Sequence, residues 1–294
     1  IAWGNELPRP SVHADNELLA ELLSRRGYST RAVIGTHYFD RSHGFFQGFD
    51  SVATIDDAVS PRRVVADQGA DALRELSSGE RPFFLWVHFF NVHQPYLSQT
   101  ETSRFGQEPV DLYDEEIVLA DEQVGRLFEV LHDLGLDEST IVIVASDHGE
   151  AFGEHGTSGH SETLYEEELR SVLMMRVPGV PARDVSTRVG LFDLTPTVLN
   201  LVGAAEPTEV PSRSLVGSMT GAEPRGDRAM IAELMPDGHQ PFDRKSLTMG
   251  HYKLQWWVRE NRYELYDLVS DPGERRELSA DDPERARELI GALR

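Results

Sequence analysis

Residues 83–90 read Phe-Phe-Leu-Trp-Val-His-Phe-Phe, introduced by Pro82. A run this apolar, with no alternation of inside and outside, suits a strand covered on both faces, the situation of a parallel sheet lying between helices. The flanking sequence supplies the covers. Asn16 to Arg26 carries Leu18, Leu19, Leu22 and Leu23 on one helical face and stops at Gly27, and Thr30 to Gly35 follows as a strand. Ser60 and Pro61 read as an N-cap and first helical residue, opening a helix through Val64, Val65, Gln68 and Leu73 to about Leu76. The longest helical pattern runs from about Asp114 to Leu134, with Ile117, Ala120, Val124, Leu127, Phe128 and Leu131 on one stripe before Gly135. Ile141 to Ala145 and Ser171 to Val177 are short strand-like runs, and Thr195-Pro196 reads as the cap and first residue of a helix ending at Gly203. Helices alternating with apolar strands predict an α/β domain whose mostly parallel sheet is sandwiched by helices.

After about Glu206 the texture changes. A loop rich in Pro, Ser and Gly precedes three strand-like stretches, Ser246 to Met249, Lys253 to Val258 and Tyr263 to Leu268, and a charged helical tail from Asp281 to Arg294. The expected organisation is an α/β domain over residues 1–206 and a small C-terminal α+β subdomain over 207–294, an antiparallel sheet with a helix.

Charge and cysteine content narrow the chemistry. Fifty Asp and Glu against 28 Lys and Arg give a formal charge of −22, which argues against nucleic acid as a partner because its phosphates would be repelled. An anionic substrate then needs a local cation, either bound metal or a cluster of His and Arg. The chain has no Cys, so disulfides, thiolate metal sites and a cysteine nucleophile are excluded from these residues. No apolar run approaches the roughly 20 residues that span a bilayer, and Ile1 to Val12 does not read as a signal peptide.

Ligands of open α/β sheets bind beyond the carboxyl ends of the strands. Two apolar runs end in polar clusters there: Asn91-Val-His93-Gln-Pro-Tyr96, and Ser146-Asp147-His148-Gly-Glu150-Ala-Phe-Gly-Glu154-His155-Gly156 with His160 close behind. Asp147 and His148, adjacent where the chain leaves the extended form, can face one cation, and a carboxylate with an imidazole suits Zn²⁺ or Mn²⁺ better than Ca²⁺. A solvated turn is the alternative reading of the same pair. His93 is either a ligand or acid, or simple loop polarity. His88, inside the apolar strand, reads as a core histidine. Glu150 and Glu154 read as ligands, partners of ligands or exposed acids, and Tyr252, Trp256 and Trp257 as cross-strand packing or a stacking surface.

These motifs resemble the sulfatase branch of the alkaline-phosphatase superfamily. The stretch from Pro82 to Tyr96 is similar to that family's strand and histidine loop, and Ser146 to Gly156 to its metal-binding strand end. Leu164 to Arg170, Val189 to Gly203 with its Asp-Leu-Thr-Pro-Thr, and Tyr263 to Glu274 follow in the family's order. The resemblance covers about Leu18 to Leu278. It implies an alkaline-phosphatase-like fold and metal-dependent hydrolysis of sulfate monoesters, with a small-molecule or glycan sulfate ester as substrate. Asp147 and His148 would be metal ligands. His93 and His160 would contact the ester's anionic group, with His160 near the position from which a Lys or His assists the leaving oxygen. Family habit implies Ca²⁺, whereas His148 in place of an amide leans toward Mn²⁺ or Zn²⁺.

The family's nucleophile, a formylglycine made from the first residue of Cys-x-Pro-x-Arg or Ser-x-Pro-x-Arg, has no counterpart. The x-x-Pro-x-Arg matches begin at Val59, Gly179, Glu209 and Asp281. The expectation is an amino-terminally shortened sulfatase, inactive by itself, whose formylglycine belongs to a missing N-terminal part. The alternatives are a phosphate or phosphonate monoester hydrolase, a phosphoethanolamine-type transferase of the same superfamily, or a non-catalytic anion- or glycan-binding remnant. The protein would be periplasmic or secreted if a signal peptide precedes Ile1, and otherwise cytoplasmic.

Overall fold

A helix over Leu19–Ser24 (α1) turns at Gly27, whose φ of +86° is cheap only for glycine, into strand β1 (Ser29–Ile34). The structure, a computed structural model, describes residues 11–39, 41–55, 63–96, 104–204, 211–222, 228–236 and 241–293. The chain divides into two compact units, Ile1–Thr140 and Ile141–Arg294. Helix α1 is shorter than the leucine pattern implies. Leu18 is extended, at φ −89° and ψ 154°, and its N–H donates to Glu21 Oε2 at 2.9 Å, so the helix starts there.

In the first unit β1 is the centre of a parallel sheet, with β2 (Ser51–Thr54) on one side and β3 (Phe83–His88) on the other. Strand β2 is too short and mixed to show in the sequence. Alternate residues of β1 serve the two faces. Val33 packs with Val65 and Ala72 of helix α2 (Val64–Ser77), with Leu85 and Val87 around them. Ala32 and Ile34 pack with Phe46, ringed by Phe39, Phe45, Phe49, Val52 and Trp86. The expected start of α2 at Ser60-Pro61 lies outside the described residues. Helix α3 (Pro109–Asp133) begins five residues earlier than its apolar stripe suggests: Pro109 takes the first helical position and Asp111 Oδ2 accepts the Glu108 N–H at 3.0 Å. Among the described residues no helix is long and apolar enough to cross a membrane.

The second unit opens with β4 (Val142–Ala145), followed by a short hairpin of β5 (Ala151–Phe152) and β6 (Ser158–Gly159), then α4 (Glu166–Leu169) and β7 (Leu173–Arg176), which pairs antiparallel with β4. Helix α5 (Leu194–Leu201) has Asp193 and not Thr195 at its N-cap position, without a side-chain bond into the helix; Pro196 falls in its first turn, where a missing N–H is tolerated. After α6 (Val216–Thr220) come β8 (Met230–Leu234), β9 (Arg244–Met249), β10 (Tyr252–Trp257) and β11 (Arg262–Asp267), an antiparallel sheet in the order β11-β10-β9-β8, and then α7 (Pro283–Leu293). The C-terminal antiparallel sheet with its helix is as expected, with β8 added.

The two faces of this sheet differ in kind. Leu247, Leu254 and Leu265 are buried under Ala286 and Leu289 of α7. The opposite face carries Arg244, Ser246, Thr248, Lys253, Gln255 and Glu264, all polar and all buried. Buried polar groups need partners in place of water: Lys253 is met by Glu166 from the loop system that follows β4 and by Glu274, Gln255 by Glu274, and Glu264 by Tyr165 of that loop system.

Candidate active site

The chain leaves β4 through Ser146, whose N–H donates to the Val172 carbonyl at 3.1 Å and whose Oγ accepts the Val172 N–H at 2.8 Å. Ser171 Oγ donates to the Asp147 carbonyl at 3.2 Å. The next residues are pinned against α4: the Gly149 N–H donates to the Glu168 carbonyl at 2.8 Å. Gly149 is required for close approach, because a Cβ there would overlap the Glu167 carbonyl oxygen and lie 3.2 Å from the Arg170 oxygen.

This fixed turn sets Asp147 and His148 side by side. His148 Nδ1 donates to the Gly149 carbonyl at 2.7 Å, since a carbonyl only accepts. Its Nε2 lies 3.7 Å from Asp147 Oδ2. In the neutral ring that nitrogen carries the lone pair, and two acceptors then face each other with room for a cation to be shared. An Nδ1–H held by a backbone carbonyl is the usual support of a metal-ligating imidazole. Asp147 and His148 thus fit a divalent ion as part of its shell. Among the described residues no group of three or more His, Asp or Glu forms a complete cage.

The β5–β6 hairpin returns the chain to the same place. Ala151 pairs with Gly159, so Glu150 and His160, just outside that pair, meet at 2.9 Å between Oε1 and Nδ1. Glu150 is thereby a buried partner and not an exposed acid, its side chain 5% accessible. Its hydrogen bond raises the His160 pKa above the ordinary imidazole value against the opposing effect of burial, with the charges of Glu150, Glu168 and Asp147 adding to it. The His160 ring lies 4.3 Å from the His148 ring, centroid to centroid. The hairpin therefore brings together Asp147, His148 and His160 of the sequence reading.

His93 belongs to the first unit. Its Nδ1 lies 2.7 Å from the Gln94 carbonyl and its ring stacks on Phe90 at 4.4 Å. His88 sits among aromatic rings, 5.3 Å from Phe39 and 6.0 Å from Trp86, in keeping with a core histidine. Glu154 Oε2 accepts the Phe152 N–H at 2.6 Å inside the hairpin loop. Trp256 stacks on its cross-strand partner Tyr263 at 5.6 Å, the packing role expected of it.

Behind the loop stands a buried polar network drawn largely from three of the quoted motifs, Ser146 to Gly156, Leu164 to Arg170 and Tyr263 to Glu274, none of which announces that its members meet. His155 Nδ1 meets Glu167 Oε1 at 2.6 Å and Nε2 meets the Glu274 carbonyl at 2.9 Å, while the ring stacks on Tyr165 at 3.6 Å. Both ring nitrogens face acceptors, so His155 is held as the imidazolium. Burial lowers its pKa, but the Glu274 and Glu167 hydrogen bonds and charges outweigh that and leave it raised. Glu274 is itself 1% exposed. It takes Lys253 Nζ at 3.0 Å, the Glu166 N–H at 2.6 Å and Gln255 Nε2 at 3.1 Å. Burial raises its pKa against the pull of Lys253 and the Glu166 N–H. Tyr165 donates its hydroxyl to Glu264 Oε2 at 2.7 Å, and burial with that bond raises the phenol's pKa. These contacts tie the loop to the polar face of the C-terminal sheet. On the sheet side, the sequence trace of them is the run of polar residues at alternate positions of β9 to β11.

Comparison with known proteins matches residues 2–204 to the Sulfatase family, and residues 153–293 to the family described as N-sulphoglucosamine sulphohydrolase, C-terminal. N-acetylgalactosamine-6-sulfatase of Canis lupus familiaris is 26% identical over 222 residues, covering 69% of this chain and 40% of that protein. Arylsulfatase K of Mus musculus is 30% identical over 184 residues, 59% of this chain and 33% of that protein. The chain spans less than half the length of either. A protein solved with its substrate D-glucosamine-2-N,6-O-disulfate superposes with a TM-score of 0.74 at 16% identity, covering 97% of this chain and 82% of that one. A second, solved with a neocarrahexaose, gives 0.78 at 17% identity, covering 97% and 75%. At such identities the structural likeness is one of fold.

Proposed function

Because this chain belongs to the sulfatase family, we propose that the protein it represents hydrolyses sulfate monoesters and that these residues supply the metal-binding and leaving-group side of the site. The observation that carries the reading is the convergence of Asp147, His148 and His160 beyond the carboxyl end of β4. A divalent ion, Ca²⁺ by family habit or Mn²⁺ or Zn²⁺ by the His148 donor, would offset charge on the ester's non-bridging oxygens. Asp147 Oδ2 and His148 Nε2 would hold it. His160 has Nδ1 committed to Glu150, so the proton it gives to the departing oxygen leaves from Nε2. Glu150 fixes the ring and favours its protonated form. The assignment of His93 to the ester's anionic group rests on its motif, and His93→Ala should lower kcat/KM in a protein that contains these residues together with a nucleophile motif. Sulfated sugars bound by fold relatives support a glycan sulfate ester as substrate class.

The 294 residues hold no Cys-x-Pro-x-Arg or Ser-x-Pro-x-Arg, so this chain alone is expected to bind the ion without turning over an aryl sulfate. Calorimetry with Ca²⁺, Mn²⁺ and Zn²⁺ should show weak binding that Asp147→Ala removes. Turnover of p-nitrophenyl sulfate above the Asp147→Ala background would contradict the inactivity. Absence of any metal binding would favour a decayed, non-catalytic fold. A protein that contains these residues together with a nucleophile motif should prefer p-nitrophenyl sulfate to p-nitrophenyl phosphate, and the reverse preference would move the assignment to phosphate esters.

A further inference from the structure

Buried donors without acceptors gather at one place on the polar face of the C-terminal sheet. Arg244 and Trp257 are cross-strand partners in β9 and β10. Arg244 is 9% exposed. Its Nε and Nη1 have no hydrogen-bond partner, and neither does Nε1 of Trp257. The guanidinium Cζ lies 3.6 Å from the centre of the Trp257 ring and 4.9 Å from that of Phe242. Arg262 covers the same indole at 3.8 Å, but its charge is paired with Glu264. Lys253, the other basic residue buried to this degree among the described residues, is met by Glu166 and Glu274. Among the described residues no carboxylate lies within ion-pair distance of Arg244; the charges of Glu260 and Glu168 reach it only from farther away. A chain with so large an excess of acids has nevertheless buried, among the described residues, a cation without an ion-pair partner, an arrangement that carries a cost in stability. Burial lowers its pKa from the usual guanidinium value, with Arg262 adding to the effect, and the more distant charges of Glu260 and Glu168 offset this only in part.

We infer that Arg244 and Trp257 form a second anion subsite, taking a sulfate or carboxylate group whose lone pairs accept the orphan N–H donors. The planar guanidinium suits such an oxyanion. The subsite adjoins the loop of the candidate active site: the Tyr165 ring lies 6.4 Å from Trp257 in an edge contact and stacks on His155. A sugar substrate carrying a second anionic group beside its sulfate ester fits the pair of sites. That substrate class rests on the sulfatase reading, whereas the oxyanion subsite does not.

The test uses the 294-residue chain, with thermal unfolding followed by tryptophan fluorescence and circular dichroism. Sodium sulfate and sodium acetate are titrated against sodium chloride at matched ionic strength, and the stronger of the two names the group. A saturable rise in Tm of about 5 °C is expected at a hundredfold excess over half-saturation. Saturation separates binding from the general salting effect of sulfate. Arg244→Met should raise the Tm in chloride, by removing the unpaired charge, and abolish the saturable response. Arg244→Lys, which keeps the charge without the fork, should lose most of it. A wild-type response in Arg244→Met would overturn the inference. Loss of the response in His160→Ala with retention in Arg244→Met would place the anion at the active site, ending this inference and leaving the sulfatase reading intact. An Arg244-dependent response in a chain that binds no metal would do the opposite.

Discussion

Gly149→Ala is the perturbation that most directly probes how the candidate site is held. The added Cβ would overlap the Glu167 carbonyl oxygen, sit 3.1 Å from its carbon and 3.2 Å from the Arg170 oxygen. Restoring ordinary contact needs a movement of about 1 Å between the turn after β4 and α4. Neither side is free to give. Gly149 N–H is bonded to the Glu168 carbonyl, Glu168 accepts the Glu162 and Thr163 N–H groups at 3.1 and 3.0 Å, and Glu167 is tied to His155. Overpacking of this kind costs about 1–3 kcal/mol, and weakening the Gly149 hydrogen bond adds about 1 kcal/mol. Lower chain entropy in the unfolded state returns about 0.4–1 kcal/mol, leaving a net loss of about 1–3.5 kcal/mol. Urea unfolding read by circular dichroism measures it. Gly291→Ala in α7, where an added Cβ meets nothing within 4 Å, is the control and should stabilise by about 0.5–1 kcal/mol. The same movement shifts His148 away from Asp147, so divalent-ion affinity should fall with stability. A Gly149→Ala protein within 0.5 kcal/mol of wild type, with metal binding unchanged, would refute the reasoning (a threshold at about the noise of surface substitutions).

Two further expectations concern the buried network. Glu274→Ala strips Lys253 of one of its two carboxylates and orphans Gln255 Nε2 and the Glu166 N–H; a loss of about 3–5 kcal/mol is expected in urea unfolding, and less than about 1 kcal/mol would mean the cluster is hydrated. His155 titrates higher in the folded chain than its unfolded value of 6.5. Its contribution to stability is therefore complete below that pH and is lost as pH rises through the folded value. Urea midpoints recorded upward from pH 6 should show this component in wild type and lack it in His155→Gln; equal slopes in both proteins would exclude the imidazolium.

Much of this architecture was legible because it is local. The uninterrupted run at residues 83–90 marks β3, and the leucine and valine spacings mark the helices. Misjudged boundaries trace to caps that apolar periodicity ignores. Glu21 reaching back to Leu18 shortens α1 and Pro109 with Asp111 lengthens α3, while α5 starts earlier than Thr195 because the turn Leu191–Asp193 runs straight into it. For the site, Asp147 and His148 are adjacent in sequence and were found there. His160 joins them through a hairpin of two short strands, whose pairing depends on the glycine-rich loop closing and leaves no periodic signal. Lys253 and Arg244 went unseen, since single polar residues in strands read as solvent-facing, and Glu274, at the end of the Tyr263–Glu274 motif beyond β11, carried no sign that it is buried.

That last point divides what the sequence determined from what the fold decided. Alternation in β9, β10 and β11 settles which side chains share a face, because successive residues of a strand point oppositely. It places Leu247, Leu254 and Leu265 on one side and Arg244, Lys253 and Glu264 on the other. Whether the polar side meets water is a separate question, answered by chain from about 90 residues away. Only when the loop around His155 and Tyr165 packs over that face do Lys253 and Glu274 become a buried pair, and Arg244 a buried charge without one. Burial is a property of the whole packed unit, and local pattern carries no record of what will come to cover it.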